Sequence, residues 1–229
     1  MEDDLVKAVN ILVFTVALSV SAGLAQADSV SYCLDKNNSA LPETSYLQVT
    51  ISDNANGNDI DFQVDVLLDA FSSPDFTLSS NFGMQSFYFN YDKMLTVAKQ
   101  NIVNIDPSSW NILTDRTADG YGLFQFDLKG NGHNRTETLF FTIANVQGDD
   151  IHSYAVGSSG SAANSGEYFA AHVAGFDYQG SGFDFNGNTY GRHGASSAFF
   201  AGSTPVPVPA AAWLLSPALL GLMGFRRRS

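Results

Sequence analysis

From Leu47 to Val66 apolar residues occupy every second position in two runs. Leu47, Val49 and Ile51 alternate with Gln48 and Thr50; Ile60, Phe62, Val64 and Val66 alternate with Asp61, Gln63 and Asp65. Only a pleated strand sends successive side chains to opposite faces, so period two predicts strands with one buried face. Between the runs lies Asp53-Asn-Ala-Asn-Gly-Asn-Asp59, whose Asn56-Gly57 suits a hairpin loop.

The pattern recurs. Phe87, Phe89 and Tyr91 read as a strand, with another over Met94 to Val97. Trp110, Ile112 and Leu113 mark a short one, and Phe124, Phe126 and Leu128 lie outside Gln125 and Asp127. Gly130-Asn131-Gly132 turns the chain, and Leu139, Phe141 and Ile143 return. Phe169, Ala171 and Val173 fit a late strand, and Phe183 to Tyr190 a small hairpin around Asn186-Gly187. Gly157 to Gly166 is a loop, and Gly191 to Thr204 mixes loop with an apolar patch at Ala198-Phe199-Phe200. No long 3.6-residue stripe interrupts this. The expectation is an all-β fold, an antiparallel β-sandwich, with a jelly roll as an equal alternative. The 18 Phe suit half-buried pleated faces.

The two ends follow different rules. Ala8 to Leu24 is nearly continuous apolar chain, and Ala25-Gln26-Ala27 supplies the small residues that signal peptidase requires. Residues 1–27 are therefore expected to be a signal peptide, cleaved to leave Asp28 first. The n-region Met-Glu-Asp-Asp is acidic, with Lys7 its single positive charge, which runs against the usual orientation bias. An uncleaved anchor is the lesser reading. The middle, 28–203, has the length of one domain.

After Thr204 come Pro205, Pro207 and Pro209, which enforce an extended lead-in. Ala210 to Phe225 is then free of charge, roughly 24 Å as a helix and near the span of a bilayer core. Arg226, Arg227 and Arg228 close the chain and would hold the cytoplasmic side, with Trp213 at the outer interface. This order of proline motif, short apolar helix and terminal arginines resembles the PEP-CTERM sorting signal of Gram-negative bacteria. Val206, Pro207, Val208, Pro209, Ala210 and Trp213 match its VPxPAAxWL variant, although no Glu lies between the prolines. The resemblance covers about the last 25 residues. It implies a transmembrane helix in the tail at 204–229, processing by exosortase in the inner membrane, delivery to the cell surface or biofilm matrix, and association with exopolysaccharide. Such a chain is the protease's substrate. A weaker likeness to the ends of other passenger domains lies in Tyr168 to Phe176 and Ser197 to Ser203.

Charge narrows the partners. Between Asp28 and Thr204 there are 7 basic and 20 acidic residues, a net charge of −13, which repels nucleic acid and anionic lipid. Cys33 is the single cysteine, so no internal disulfide forms. No G-x-S-x-G is present, and His133, His152, His172 and His193 show no zinc spacing. His172 reads as a structural residue on a strand. Paired carboxylates could hydrolyse glycosides, but sequence selects no pair among so many. No enzyme is expected. The one metal expectation is calcium on the oxygen-rich loop of Asp53, Asn56, Asn58, Asp59 and Asp61, which equally makes a plain turn. The leading expectation is a surface or matrix protein. The alternatives are a carbohydrate-binding module exposing Trp110, Tyr121 or Tyr190, and, ranked last, a matrix hydrolase.

Overall fold

The structure, a computed structural model, describes residues 28–54, 59–180 and 195–206, together with the backbone of 182–183 and 189–190. The segments expected to be a signal peptide and a sorting motif, 1–27 and the residues beyond Val206 with Arg226 to Arg228, lie outside the described residues. Among the described residues, no helix is long and apolar enough to cross a membrane.

The strands are β1 (Ser29–Leu34), β2 (Lys36–Asn37), β3 (Leu47–Asp53), β4 (Asp59–Val66), β5 (Phe76–Phe89), β6 (Ile102–Asp106) and β7 (Asn111–Ala118). They continue with β8 (Gly122–Lys129), β9 (Thr138–Ala144), β10 (Phe169–Tyr178), β11 (Gly182–Phe183), β12 (Thr189–Tyr190), β13 (Ala195–Gly202) and β14 (Thr204–Pro205). Two six-stranded antiparallel sheets form, in the orders β14-β1-β3-β4-β9-β6 and β2-β13-β10-β5-β8-β7. β11 and β12 pair as the small hairpin expected near Asn186-Gly187.

The alternation in the first sheet buries one face completely. Leu47, Val49, Ile51, Phe62 and Val64 are 0 % exposed, as are Leu139, Phe141 and Ile143 opposite them on β9. The inner faces interlock through aromatic rings. Phe62 stacks on Phe141 with centroids 4.6 Å apart, and meets Phe89 of the second sheet at 5.5 Å and Tyr154 at 5.4 Å. A second aromatic knot joins Tyr46, Phe71 and Phe200, with Tyr46 and Phe200 centroids 4.6 Å apart. Each such ring buried contributes about 2–3 kcal/mol of transfer free energy. The Tyr46 hydroxyl donates to the Pro42 carbonyl at 2.7 Å, so its burial leaves no orphaned donor.

The sheets are joined at one edge by a bent ribbon. Tyr32 pairs with Pro205 and Cys33 with Thr204 in the first sheet; Lys36 pairs with Ala201 and Asn37 with Phe200 in the second. One register runs through both, so β1–β2 and β13–β14 are two long strands folding together across the sandwich corner. At the fold Gly202 passes against Cys33: a Cβ there would stand 1.9 Å from the Cys33 carbonyl oxygen and 2.9 Å from the Leu34 Cα.

Several local expectations need correction. Met94 to Val97 is a turn and loop, and Met94 is 92 % exposed, because the chain leaves β5 at Phe89 to cross between sheets. The Phe87–Phe89 strand begins at Phe76, and the patch at Ala198-Phe199-Phe200 is the middle of a full strand, β13. β1 and β6 are additional strands. β6 breaks alternation through Asn104 (φ 52°) and a register shift against β9.

Candidate functional site

The outer face of the first sheet is mostly polar and, among the described residues, without a basic side chain. Reading across the register, one row runs Thr204, Cys33, Gln48, Asp65, Thr138. The next runs Ser31, Thr50, Gln63, Phe140, Asp106, and the third Ser29, Ser52, Asp61, Thr142, Val103. Short side chains on a pleated sheet tie to one another across the strands. Ser31 and Thr50 hydroxyls lie 2.9 Å apart, the Thr138 hydroxyl donates to Asp65 at 2.8 Å, and the Thr142 hydroxyl donates to Asp61 at 2.7 Å. Gln63 Nε2 donates to Asp65 at 2.8 Å. Phe140 is the outward ring of this face, half-buried on β9 between exposed Gln63 and exposed Asp106. An apolar ring framed by amide, carboxylate and hydroxyl groups suits a polyhydroxylated ligand.

The calcium expectation is divided by the structure. Asn56 and Asn58 lie outside the described residues. Asp59 accepts a hydrogen bond from the Asn145 backbone N–H at 3.1 Å, and Asp61 accepts from Thr142; both carboxylates are engaged with β9 or the residue after it. Asp53 ends β3, its N–H donating to the Asp28 carbonyl at 2.9 Å. Among the described residues, no three His, Cys, Asp or Glu gather as a metal set.

Two of the rings expected to bind sugar are buried. Trp110 is 4 % exposed with its indole N–H donating to the Asn134 carbonyl at 2.8 Å, and Tyr121 is 0 % exposed. The side chain of Tyr190 lies outside the described residues. Sequence could not tell an aromatic pinned under a turn from one presented to solvent. The signal for Phe140 was available: a phenylalanine out of phase between inward Leu139 and Phe141.

The second sheet's outer face is different in kind. His172 pairs with Ser86, Ser86 with Lys129, and Tyr88 with Asp127. The imidazole stacks on Phe199 with centroids 4.5 Å apart, and burial, with Arg135 and Lys129 nearby, holds it below the usual imidazole range. In register, Ser86 on β5 lies between His172 on β10 and Lys129 on β8, and Asp127 is two residues back along β8. Imidazole and carboxylate thus stand on strands separated by β5, roughly 10 Å across the sheet and offset by two residues along it. Asp127 is 1 % exposed with Oδ1 unpaired, and burial pushes its carboxyl up to about 6 against the pull of Lys129 and Arg116. Tyr88 opposite is pushed up to about 12, by burial first and then by the Asp127 charge.

A shallow cleft of about 190 Å³ opens by edge strand β7, lined by Tyr91, Lys99, Asp115 and Gln125 among others. Cys33 is a free, half-buried thiol on the polar face.

No family model matches this chain, and no curated protein matches it. A solved structure described as "pH-induced modulation of Streptococcus parasanguinis adhesion by Fap1 fimbriae" is similar over 78 % of this chain and 96 % of that one, at 14 % identity and a TM-score of 0.38.

Proposed function

We propose that this chain is an exported cell-surface or biofilm-matrix protein of a Gram-negative bacterium. Its leader is removed by signal peptidase, and its tail, held transiently in the inner membrane, is processed by exosortase. The domain then associates with exopolysaccharide and catalyses no reaction. The observation that carries this is the joint exit of the two ends. β14 runs along β1, and the Val206 N–H donates to the Ser31 carbonyl at 2.8 Å, three residues from Asp28. A leader before Asp28 and a sorting tail after Val206 therefore join the domain by neighbouring strands. Both can reach one membrane while the domain stays folded.

The polar face of the first sheet is the surface offered to polysaccharide. Asp59, Asp61, Asp65 and Asp106 belong to its strands, with no cation among them to offset the charge. This favours neutral or amino-sugar polymers, whose hydroxyls and ammonium groups donate to carboxylates, and disfavours uronate polymers. Phe140 supplies the stacking ring. It replaces Trp110 and Tyr121 in the carbohydrate-binding reading, which thereby becomes the means of matrix association.

Cosedimentation of the exported protein with insoluble polysaccharides tests the reading. Retention on a neutral glucan or amino-sugar polymer is expected, with Phe140→Ala weakening it about tenfold, equivalent to about 1.4 kcal/mol. Because Phe140 points outward, the variant's melting temperature should stay near that of the parent. Equal retention of parent and Phe140→Ala, or a preference for uronate polymers, would contradict this use of the face.

A further inference from the structure

Three buried oxygen atoms without hydrogen-bond partners belong to the segments around the bend of the ribbon. They are Asp35 Oδ1, Glu167 Oε2 and the Tyr121 hydroxyl. Tyr121 is 0 % exposed and Glu167 6 %. Asp35 lies at the crossing between β1 and β2, Tyr121 on the turn before β8, and Glu167 just before β10. The pieces are tied in place. Ser158 donates its hydroxyl to the Tyr121 carbonyl at 2.6 Å and its N–H to the Glu167 carbonyl at 2.9 Å. The Lys36 ammonium pairs with Glu167 Oε1, leaving Oε2 free. Both carboxylates act electrostatically on the Tyr121 phenol, which burial and then Glu167 and Asp35 hold above its ordinary range.

These groups do not balance. Two carboxylates face one ammonium, and Lys36 extends toward solvent with its side chain 53 % exposed. A buried carboxylate oxygen without a donor is costly, and carboxylates cannot donate to one another. One phenol proton satisfies at most one of the two oxygens. The shortfall is therefore one positive charge and several oxygen-seeking contacts.

We propose that this pocket holds a hard divalent cation of the calcium class, bound by Asp35 Oδ1, Glu167 Oε2 and the Tyr121 hydroxyl oxygen. An all-oxygen donor set suits calcium, which takes 6 to 8 oxygen ligands and completes its shell with water and backbone carbonyls. Two carboxylates and a phenol make a weak site, with affinity on the order of 10⁻⁴ to 10⁻³ M, as in extracellular modules. The site lies at the bend that joins the sheets. The cation would thus pin β2 and the loop before β10 to the turn before β8. It is separate from the hairpin of Asp53 to Asp61.

Thermal melting of the exported protein, with and without 10 mM calcium chloride and against sodium chloride of equal ionic strength, provides the test. Calcium alone should raise the melting temperature by about 3–6 °C. Asp35→Asn and Glu167→Gln should abolish the response, while Asp59→Asn should keep it. No calcium response in the parent would overturn the site. So would a response that survives in both Asp35→Asn and Glu167→Gln, or one lost in Asp59→Asn instead. Should these variants fold poorly, terbium luminescence of the unaltered protein, excited through tyrosine, gives an independent reading. A signal displaced by calcium and weakened in Tyr121→Phe is expected; no displaceable signal would reject the site.

Discussion

Gly202→Ala should destabilise the protein by more than about 4 kcal/mol, beyond the ordinary range for a single substitution. The added methyl would meet the Cys33 carbonyl oxygen at 1.9 Å and the Leu34 Cα at 2.9 Å, and both are backbone atoms that no side-chain rotation can move. Relief requires the two strands of the bent ribbon to separate. That breaks the pairings of Cys33 with Thr204 and Lys36 with Ala201 on either side of the bend. Folding yield and stability from denaturant unfolding of the protein are the measurements. Gly202→Ala should recover little folded material, whereas Ser203→Ala next to it should behave like the parent. A Gly202→Ala unfolding free energy within about 1 kcal/mol of the parent would mean the ribbon does not cross there as described.

Asp127→Asn should have the second largest effect, and it should depend on pH. Burial raises the native carboxyl from 3.8 to about 6, so the native state binds the proton more tightly than the unfolded chain. The stability this contributes is complete below about pH 3.8 and is lost as pH rises through about 6. Above that, the parent carries a buried carboxylate with an unpaired Oδ1. At 1.36 kcal/mol per unit, the loss is at most about 3 kcal/mol. Asparagine never ionises, so Asp127→Asn should match the parent near pH 4 and exceed it by about 2 kcal/mol at pH 8. His172 acts in the opposite sense: its lowered value makes stability fall as pH drops below about 6.5. The difference between variant and parent removes that background. A gap that stays constant from pH 4 to 8 would show that Asp127 does not titrate in the native state as its burial requires.

The parts of the fold legible in the sequence were those with one buried face and one wet one. The strands of Leu47 to Val66 announced themselves because their inward residues are apolar and their outward ones polar; β8 and β9 were legible by their inward residues, although Leu123 and Phe140 face outward. The first half of β5 was not: residues from Thr77 to Ser80 are exposed, so no period two arises, and the segment is a strand through its pairing with β10. β6 was hidden by the register shift around Asn104, and β1 by its place directly after the apolar run of Ala8 to Leu24. At Asp127 alternation assigned the correct face, but an outward position on a sheet is not necessarily an exposed one. The polar face of the first sheet was legible only as separate residues. Its rows gather Ser31, Thr50, Gln63 and Phe140 from four strands, and their adjacency is a property of register, which requires coordinates. The same holds for Asp35, Tyr121 and Glu167, brought together by a bend, a turn and a loop.

Two ends sharing one edge of a β-sandwich are proposed to serve export and then release. The direct measurement is the intact mass of the protein recovered from a Gram-negative host that carries an exosortase, compared with its exosortase deletion. With the enzyme, the mature chain should begin at Asp28, extend past Val206 because that residue is bonded into the sheet, and lack Arg226 to Arg228. Without it, the chain should begin at Asp28, retain the arginines and sediment with the membrane. A chain running from Met1 to Ser229 in both hosts, found at the same location, would contradict the account.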